Sequence, residues 1–258
     1  METSVTQSRL IAHRGYSERF PENSLVGLKA ALMSGSGCVE FDVQLSSDYV
    51  PVVIHDMSLK RTAGMEGDVN LLTSNQLKGA YIGEQGRFGK NFAREPIPLL
   101  SEVLELVKQW PGATAFVEIK TESLAVFGIE IVARALLAEL LACRDQCVLI
   151  SFNPEILEVV KMRGQLRVGW VIPGWNDDAF RRAHKLGPDF LFADKNIVPN
   201  RDDALWPGSW QWALYDIVDP RQALLWLKRG ARLIETWDIG RLLGDQELTS
   251  FLGQDKDI

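Results

Sequence analysis

The sequence is poor in the residues that build extracellular frameworks. Three cysteines, Cys38, Cys143 and Cys147, are too few for a disulfide scaffold. Cys143 and Cys147 would supply half of a zinc site, and no second Cys/His cluster completes it. The thiols therefore read as reduced and buried, and the location as cytoplasmic. No apolar run approaches the ~20 residues of a membrane span. Residues 1–8 are polar and lack the apolar core of a signal peptide. Positive charge is not in excess either: 28 Lys and Arg face 34 Asp and Glu, a net charge of -6. Such a chain has no general pull toward nucleic acid or anionic lipid. A phosphate ester bound here needs a local cationic site or a bound cation. Histidine is scarce, with three in 258 residues, so each can be weighed singly.

What the chain has is alternation. Short apolar runs at 10–12, 39–45, 115–119, 148–152, 168–172, 190–193, 212–217 and 233–236 read as strands. Segments of helical period lie between most of them, at 22–33, 100–110, 124–142, 154–162, 177–185 and 220–229. Asn153 and Asp219 stand where helix N-caps belong. Helical crossovers return each strand to the same end, which implies parallel pairing. Eight such units in one domain of about 250 residues predict a (β/α)8 TIM barrel. An open doubly wound sheet usually shows a Gly-rich turn after a strand, and none occurs here. After the second strand, Ser46-Ser47-Asp48 and the apolar run 51–54 read as a hairpin return. Residues 57–98, with six glycines among scattered polar groups, read as a small insertion that walls the barrel mouth.

The acids sit in informative places. Glu40 and Asp42 lie two apart in an apolar strand, so they share a face. Two carboxylates side by side repel unless a positive charge joins them. A hard divalent cation is the simplest solution. Glu118 and Lys120 repeat the spacing on the next strand and add a third carboxylate and a fixed cation. His13 ends the first strand, where Gly15 lets the chain turn sharply after Arg14. His55 ends the hairpin return. Phosphodiester cleavage needs one group to take a proton and another to give one, and imidazole suits both tasks. His184, inside the charged run 181–185, reads as a solvated helix face.

Ile11-Ala12-His13-Arg14-Gly15, Pro21-Glu22-Asn23-Ser24, Val39-Glu40-Phe41-Asp42-Val43-Gln44-Leu45 and Pro51-Val52-Val53-Ile54-His55-Asp56 follow one another in order. Together with Leu59-Lys60-Arg61-Thr62, Ile97-Pro98-Leu99-Leu100 and Val117-Glu118-Ile119-Lys120 they resemble the signature of the glycerophosphodiester phosphodiesterase family. The close likeness covers residues 10–120, and it implies the same barrel with a small insertion. It implies hydrolysis of a glycerophosphodiester to sn-glycerol 3-phosphate and an alcohol. It also implies that His13 and His55 are the acid/base pair and that Glu40, Asp42 and Glu118 hold one divalent metal ion. Mg2+ or Ca2+ is the expected ion, with Mn2+ a third candidate. By the same resemblance Arg14 and Lys120 bind the phosphate, and Asn23 fixes the loop above His13.

The C-terminal half departs from the family pattern. Tyr215 stands where the family usually has Trp, and the last strand ends Glu235-Thr236-Trp237-Asp238 in place of a short Thr-Asp or Thr-Asn step. These strand ends line the leaving-group side, so the alcohol specificity is open. Trp170, Trp175, Trp206, Trp210, Trp212 and Trp237 read as packing or, more sharply, as an aromatic mouth for an apolar or choline-like alcohol. A lysophospholipase D-like activity is a second reading, which needs an exposed apolar lip such as Phe88 and Phe92. A non-catalytic phosphodiester-binding module is a third. It predicts loss of a histidine or a carboxylate, and all five are retained.

Overall fold

In the computed structural model, which describes residues 9–199 and 205–254, the interior of the molecule is a ring of strands. The strands are β1 (Leu10–Ala12), β2 (Cys38–Leu45), β3 (Pro51–Val53), β4 (Thr114–Ile119), β5 (Cys147–Ser151), β6 (Arg167–Val171), β7 (Phe190–Asp194), β8 (Gln211–Tyr215) and β9 (Leu233–Thr236). All except β3 are parallel, and β1 bonds to both β2 and β9, which closes an eight-stranded barrel. The expected TIM barrel is present. β3 pairs antiparallel with β2 outside the ring, as the hairpin return predicts.

The barrel is filled, not hollow. Ile11, Cys38, Phe116, Val148, Phe190, Ala213 and Leu233 point inward at its lower end, with Ile150, Val171 and Phe192 above them. Phe116 meets Phe190 and Phe192 edge-on at centroid distances of 5.2 and 5.3 Å. Gly169 makes room for these rings, because a Cβ there would lie 2.8 Å from Ile150 and 3.1 Å from Phe192. A larger apolar shell seals the outer face against the helices. The three cysteines are buried and none is in a disulfide among the described residues, and burial pushes the Cys38 and Cys147 thiols up to about 12.

The helices are α1 (Leu25–Met33), α2 (Lys60–Ala63), α3 (Ser74–Leu77), α4 (Gln85–Phe88), α5 (Leu100–Lys108), α6 (Thr121–Phe127), α7 (Ile129–Leu140), α8 (Pro154–Gly164), α9 (Asp177–Leu186), α10 (Pro220–Lys228), α11 (Ile239–Leu243) and α12 (Gln246–Gln254). Asn153 and Asp219 cap α8 and α10 as expected, accepting from the Ile156 and Arg221 amides. Two helix readings need correction. α1 starts at Leu25, capped by Ser24, because Asn23 has φ 57 and belongs to the loop before it. The single helix expected over 124–142 is two, broken where Gly128 adopts φ 78, ψ 157. No helix among the described residues is long and apolar enough to cross a membrane. The polar start at 1–8 lies outside the described residues.

The insertion after β3 carries α2, α3 and α4 around a small core of Val52, Ile54, Leu59, Val69, Leu77, Ala80, Ile82 and Ile97. Between β7 and β8 no helix occurs among the described residues. Trp206 from that crossover stacks on Trp175 at 3.9 Å and lies 5.9 Å from Trp212.

Candidate active site

Inward residues of β2 alternate as Glu40, Asp42 and Gln44, which the barrel wall buries almost completely. Each has a task. Gln44 accepts from Ser123 Oγ at 2.6 Å and donates to the His55 carbonyl at 3.0 Å, so it pins the end of the hairpin return. Asp42 accepts from Asn23 Nδ2 at 2.8 Å and forms ion pairs with Arg14 Nε at 3.1 Å and Lys120 Nζ at 3.3 Å. Its own amide donates to Asn23 Oδ1 at 3.0 Å. Asn23 therefore holds Asp42 as well as the loop, where its amide bonds the Arg14 carbonyl. Glu40 Oε2 accepts the Arg14 amide at 3.0 Å, while Glu40 Oε1 is buried without a hydrogen bond.

β1 delivers His13 and Arg14. The His13 amide bonds the Thr236 carbonyl of β9 at 2.8 Å. Arg14 and Gly15 then turn with φ of 55 and 80. A side chain at Gly15 would meet the Gly27 backbone at 2.7 Å, so the turn closes on the start of α1. From β4, Glu118 and Lys120 point to the same place and bond each other at 2.7 Å. His55 bonds Asp56 through Nδ1 at 2.5 Å. Arg61 links Asp56 at 2.6 Å to Glu22 at 2.7 Å, and Glu22 reaches Arg14 Nη1 at 3.2 Å. Glu84 of the insertion accepts the Glu22 amide at 2.7 Å, so the insertion braces this chain of charges.

Burial and repulsion set the electrostatics. Burial, then Asp42 and Glu235, raise Glu40 well above the usual carboxylate range. Burial and Asp42 raise Glu118 to about 6. Asp42 moves the other way: burial opposes its ionisation, yet Arg14 and Lys120 together hold it well below the ordinary value. Burial and Arg14 push His13 down to about 3. Lys120 is raised because Asp42 and Glu118 outweigh the cost of its burial.

His13, Arg14, His55, Glu118 and Lys120 line one cavity of about 240 Å³ at the C-terminal end of the barrel. Glu40 and Asp42 lie beside Glu118, with one carboxylate oxygen of each of the three within 4.8 Å of the others. Every residue singled out in the sequence for this chemistry thus comes to one end of the barrel. Two carboxylates of the cavity, Glu235 and Asp216, were given no chemical role in the sequence. Glu235 showed the same signal as Glu40, a lone acid in an apolar strand, and lies 3.5 Å from His13 Nε2.

Some sharper readings do not hold. Trp170, Trp210 and Trp212 are buried, and Trp175 and Trp206 stack against each other, so none lines this cavity. Trp237 faces a neighbouring cleft with Arg87, Glu18 and Asp216. Phe88 and Phe92 do not form an apolar lip: they pack on each other at 5.5 Å, and Phe92 on Phe20 at 5.7 Å. His184 is exposed, as expected, with its ring against Phe180 and Trp210.

Known proteins share this design. A glycerophosphodiester phosphodiesterase of Caldanaerobacter subterraneus subsp. tengcongensis is 35% identical over 199 residues, 74% of this chain and 77% of that protein. Human glycerophosphodiester phosphodiesterase 1 is 32% identical over 160 residues, 59% of this chain and 44% of its own length. An Oleispira antarctica phosphodiesterase, solved with the product sn-glycerol-3-phosphate, has the same fold at a TM-score of 0.79 and 24% identity, covering 92% of this chain and 95% of that one. The sequence pattern of the Glycerophosphoryl diester phosphodiesterase family matches residues 13–172, from the first histidine to just past β6. The chain belongs to that family and is a phosphoric diester hydrolase.

Proposed function

We propose that the enzyme hydrolyses glycerophosphodiesters to sn-glycerol 3-phosphate and an alcohol, with His13 and His55 as its acid/base pair. The observation that carries this reading is the convergence of both histidines, Arg14 and Lys120 on one small cavity with the three clustered carboxylates Glu40, Asp42 and Glu118. Glu40, Asp42 and Glu118 would hold a divalent ion. Their donor set is all oxygen, and Glu40 Oε1 and Asp42 Oδ1 are buried without hydrogen bonds, which suits a hard cation such as Mg2+ or Ca2+. Such an ion supplies Lewis-acid neutralisation of charge on phosphate oxygens.

Arg14 and Lys120 orient the phosphate and stabilise the charge that builds on it in the transition state. Both are themselves held by Asp42, so the cradle is fixed before substrate arrives. In-line displacement puts nucleophile and leaving group on opposite sides of phosphorus. One histidine takes the proton of the attacking hydroxyl, and the other gives one to the departing alkoxide. Asp56 fixes the His55 ring through Nδ1, leaving Nε2 for this exchange. A glycerophosphodiester panel assayed with and without EDTA, reading released alcohol and glycerol phosphate, tests the proposal. Turnover is expected to vanish on chelation and return with Mg2+, Mn2+ or Ca2+. Full activity after exhaustive chelation and dialysis removes the metal.

A further inference from the structure

Arg61 lies outside the cavity. It is half-exposed, on the four-residue α2 of the insertion, and does not line the site. Its backbone is nevertheless anchored. Leu59 before it and Thr62 after it are buried. The Ala63 amide donates to the Leu59 carbonyl at 3.0 Å, and the Glu84 amide donates to the Thr62 carbonyl at 3.2 Å. From this anchor the guanidinium reaches two carboxylates at once. Nε and Nη2 donate to Asp56 at 2.6 and 3.1 Å, and Nη1 and Nη2 each donate to Glu22 at 2.7 Å. Both pairs are forked, a geometry that a planar guanidinium matches and an ammonium does not.

Arg61 Nη2 bonds two oxygens that have second partners inside the site. Asp56 Oδ1 also meets His55 Nδ1 at 2.5 Å, and Glu22 Oε1 also meets Arg14 Nη1 at 3.2 Å. One nitrogen therefore stands between the imidazole that exchanges a proton and the guanidinium that holds phosphate. Asp56 is 29% exposed, so water competes for it when Arg61 is absent. The Arg61 hydrogen bond is the largest influence on that carboxyl, which sits at about 2. An ionised Asp56 accepts from His55 Nδ1–H and leaves Nε2 for the reaction. Glu22 is buried between two guanidinium groups. Without Arg61 its charge would fall on Arg14 alone and draw Arg14 away from substrate. An isolated exposed ion pair would hold little. Two forked pairs on one rigid head lose less entropy per bond.

We propose that Arg61 is a positioning residue that sets His55 through Asp56 and Arg14 through Glu22, for a reaction it never touches. The inference rests on the phosphodiesterase reading above and gives the insertion a part in turnover.

The test is steady-state kinetics of the metal-loaded full chain on a glycerophosphodiester that the wild type cleaves. Arg61→Ala, assayed well below its Tm, should lower kcat by about tenfold or more and raise KM. Guanidinium ion, compared with sodium at equal ionic strength, should restore part of kcat to Arg61→Ala and none to Asp56→Asn. Adding Arg61→Ala to Asp56→Asn should cost little further kcat and still raise KM, since the Glu22 arm is separate. Arg61→Lys keeps the charge without the fork and should stay well below wild type in kcat. It reads the proposal even if Arg61→Ala fails to fold. Wild-type kcat and KM in Arg61→Ala, full recovery in Arg61→Lys, or kcat losses that multiply in the double variant would each overturn the proposal and leave the phosphodiesterase reading intact. Cleavage of no diester by the wild type removes both.

Discussion

His13 stands among three carboxylates, Glu40, Glu235 and Asp216, each within 4 Å of one of its ring nitrogens. His55 has one, Asp56. As an acid/base pair they should be costly to lose, and each replacement by Ala is expected to lower kcat by about 10²–10⁴-fold. The double mutant should lose less than the product of the two, since the pair acts together. His184→Ala, on the exposed face of α9, should leave turnover unchanged. Near-wild-type turnover by His13→Ala on every cleaved diester would sink the mechanism. The acids around His13 give a second expectation. Glu118 is raised from 4.5 to about 6, so its contribution to stability is full below pH 4.5 and fades as pH rises through 6. Glu40 and Glu235 are raised too and act in the same direction. His13, lowered to about 3, opposes them, since its contribution is lost as pH falls from 6.5. A divalent ion can stand in for the missing protons, so the rise in Tm on adding Mg2+ or Ca2+ should be larger above pH 6 than at pH 4.5. An equal rise at both would contradict a carboxylate-held ion.

At the scale of the element, strands were the most legible part of the chain. Buried on both faces, they read as short apolar runs, and an acid inside one, such as Glu40 or Glu118, stands out as functional. Glu235 carried the same mark and was read only as a departure from the family pattern, because the resemblance supplied no role for it. Helix limits were less legible. The Leu- and Ala-rich period from 124 to 142 continues through Gly128, yet the chain breaks there in a backbone region open essentially to glycine alone. The sign of one substitution separates the two readings. In an unbroken helix Gly128→Ala would stabilise by about 1 kcal/mol. In the broken one it should destabilise by about 1–3 kcal/mol. Nothing lies within 4 Å of the added methyl, so the loss measures backbone strain alone, and urea unfolding reads it directly. The short helices of the insertion escaped the sequence because four residues are too few for a period to show. The helix expected from residue 22 starts at Leu25 because Asn23, bonded to Asp42, holds the preceding residues in a loop.

On the scale of the whole molecule, an acidic chain concentrates a few cations at one end of a barrel. The insertion takes part at a distance: Glu84 and Arg61 reach Glu22, which in turn holds Arg14. The far side of the barrel is built differently. Among the described residues of the crossover from β7 to β8, Trp206 packs on Trp175, which also meets Trp212. Two indoles 3.9 Å apart and 29° from parallel share their electronic excitation. The protein therefore carries its own optical reporter, an exciton-split band in circular dichroism that depends on this crossover being closed. That band should persist in the presence of EDTA, because neither Trp175 nor Trp206 lines the cavity. Its loss on heating, set beside the decay of helical signal, would time the opening of the β7-to-β8 crossover against the rest of the barrel, and Trp206→Phe should weaken it, leaving only the Trp175–Trp212 pair at 5.4 Å.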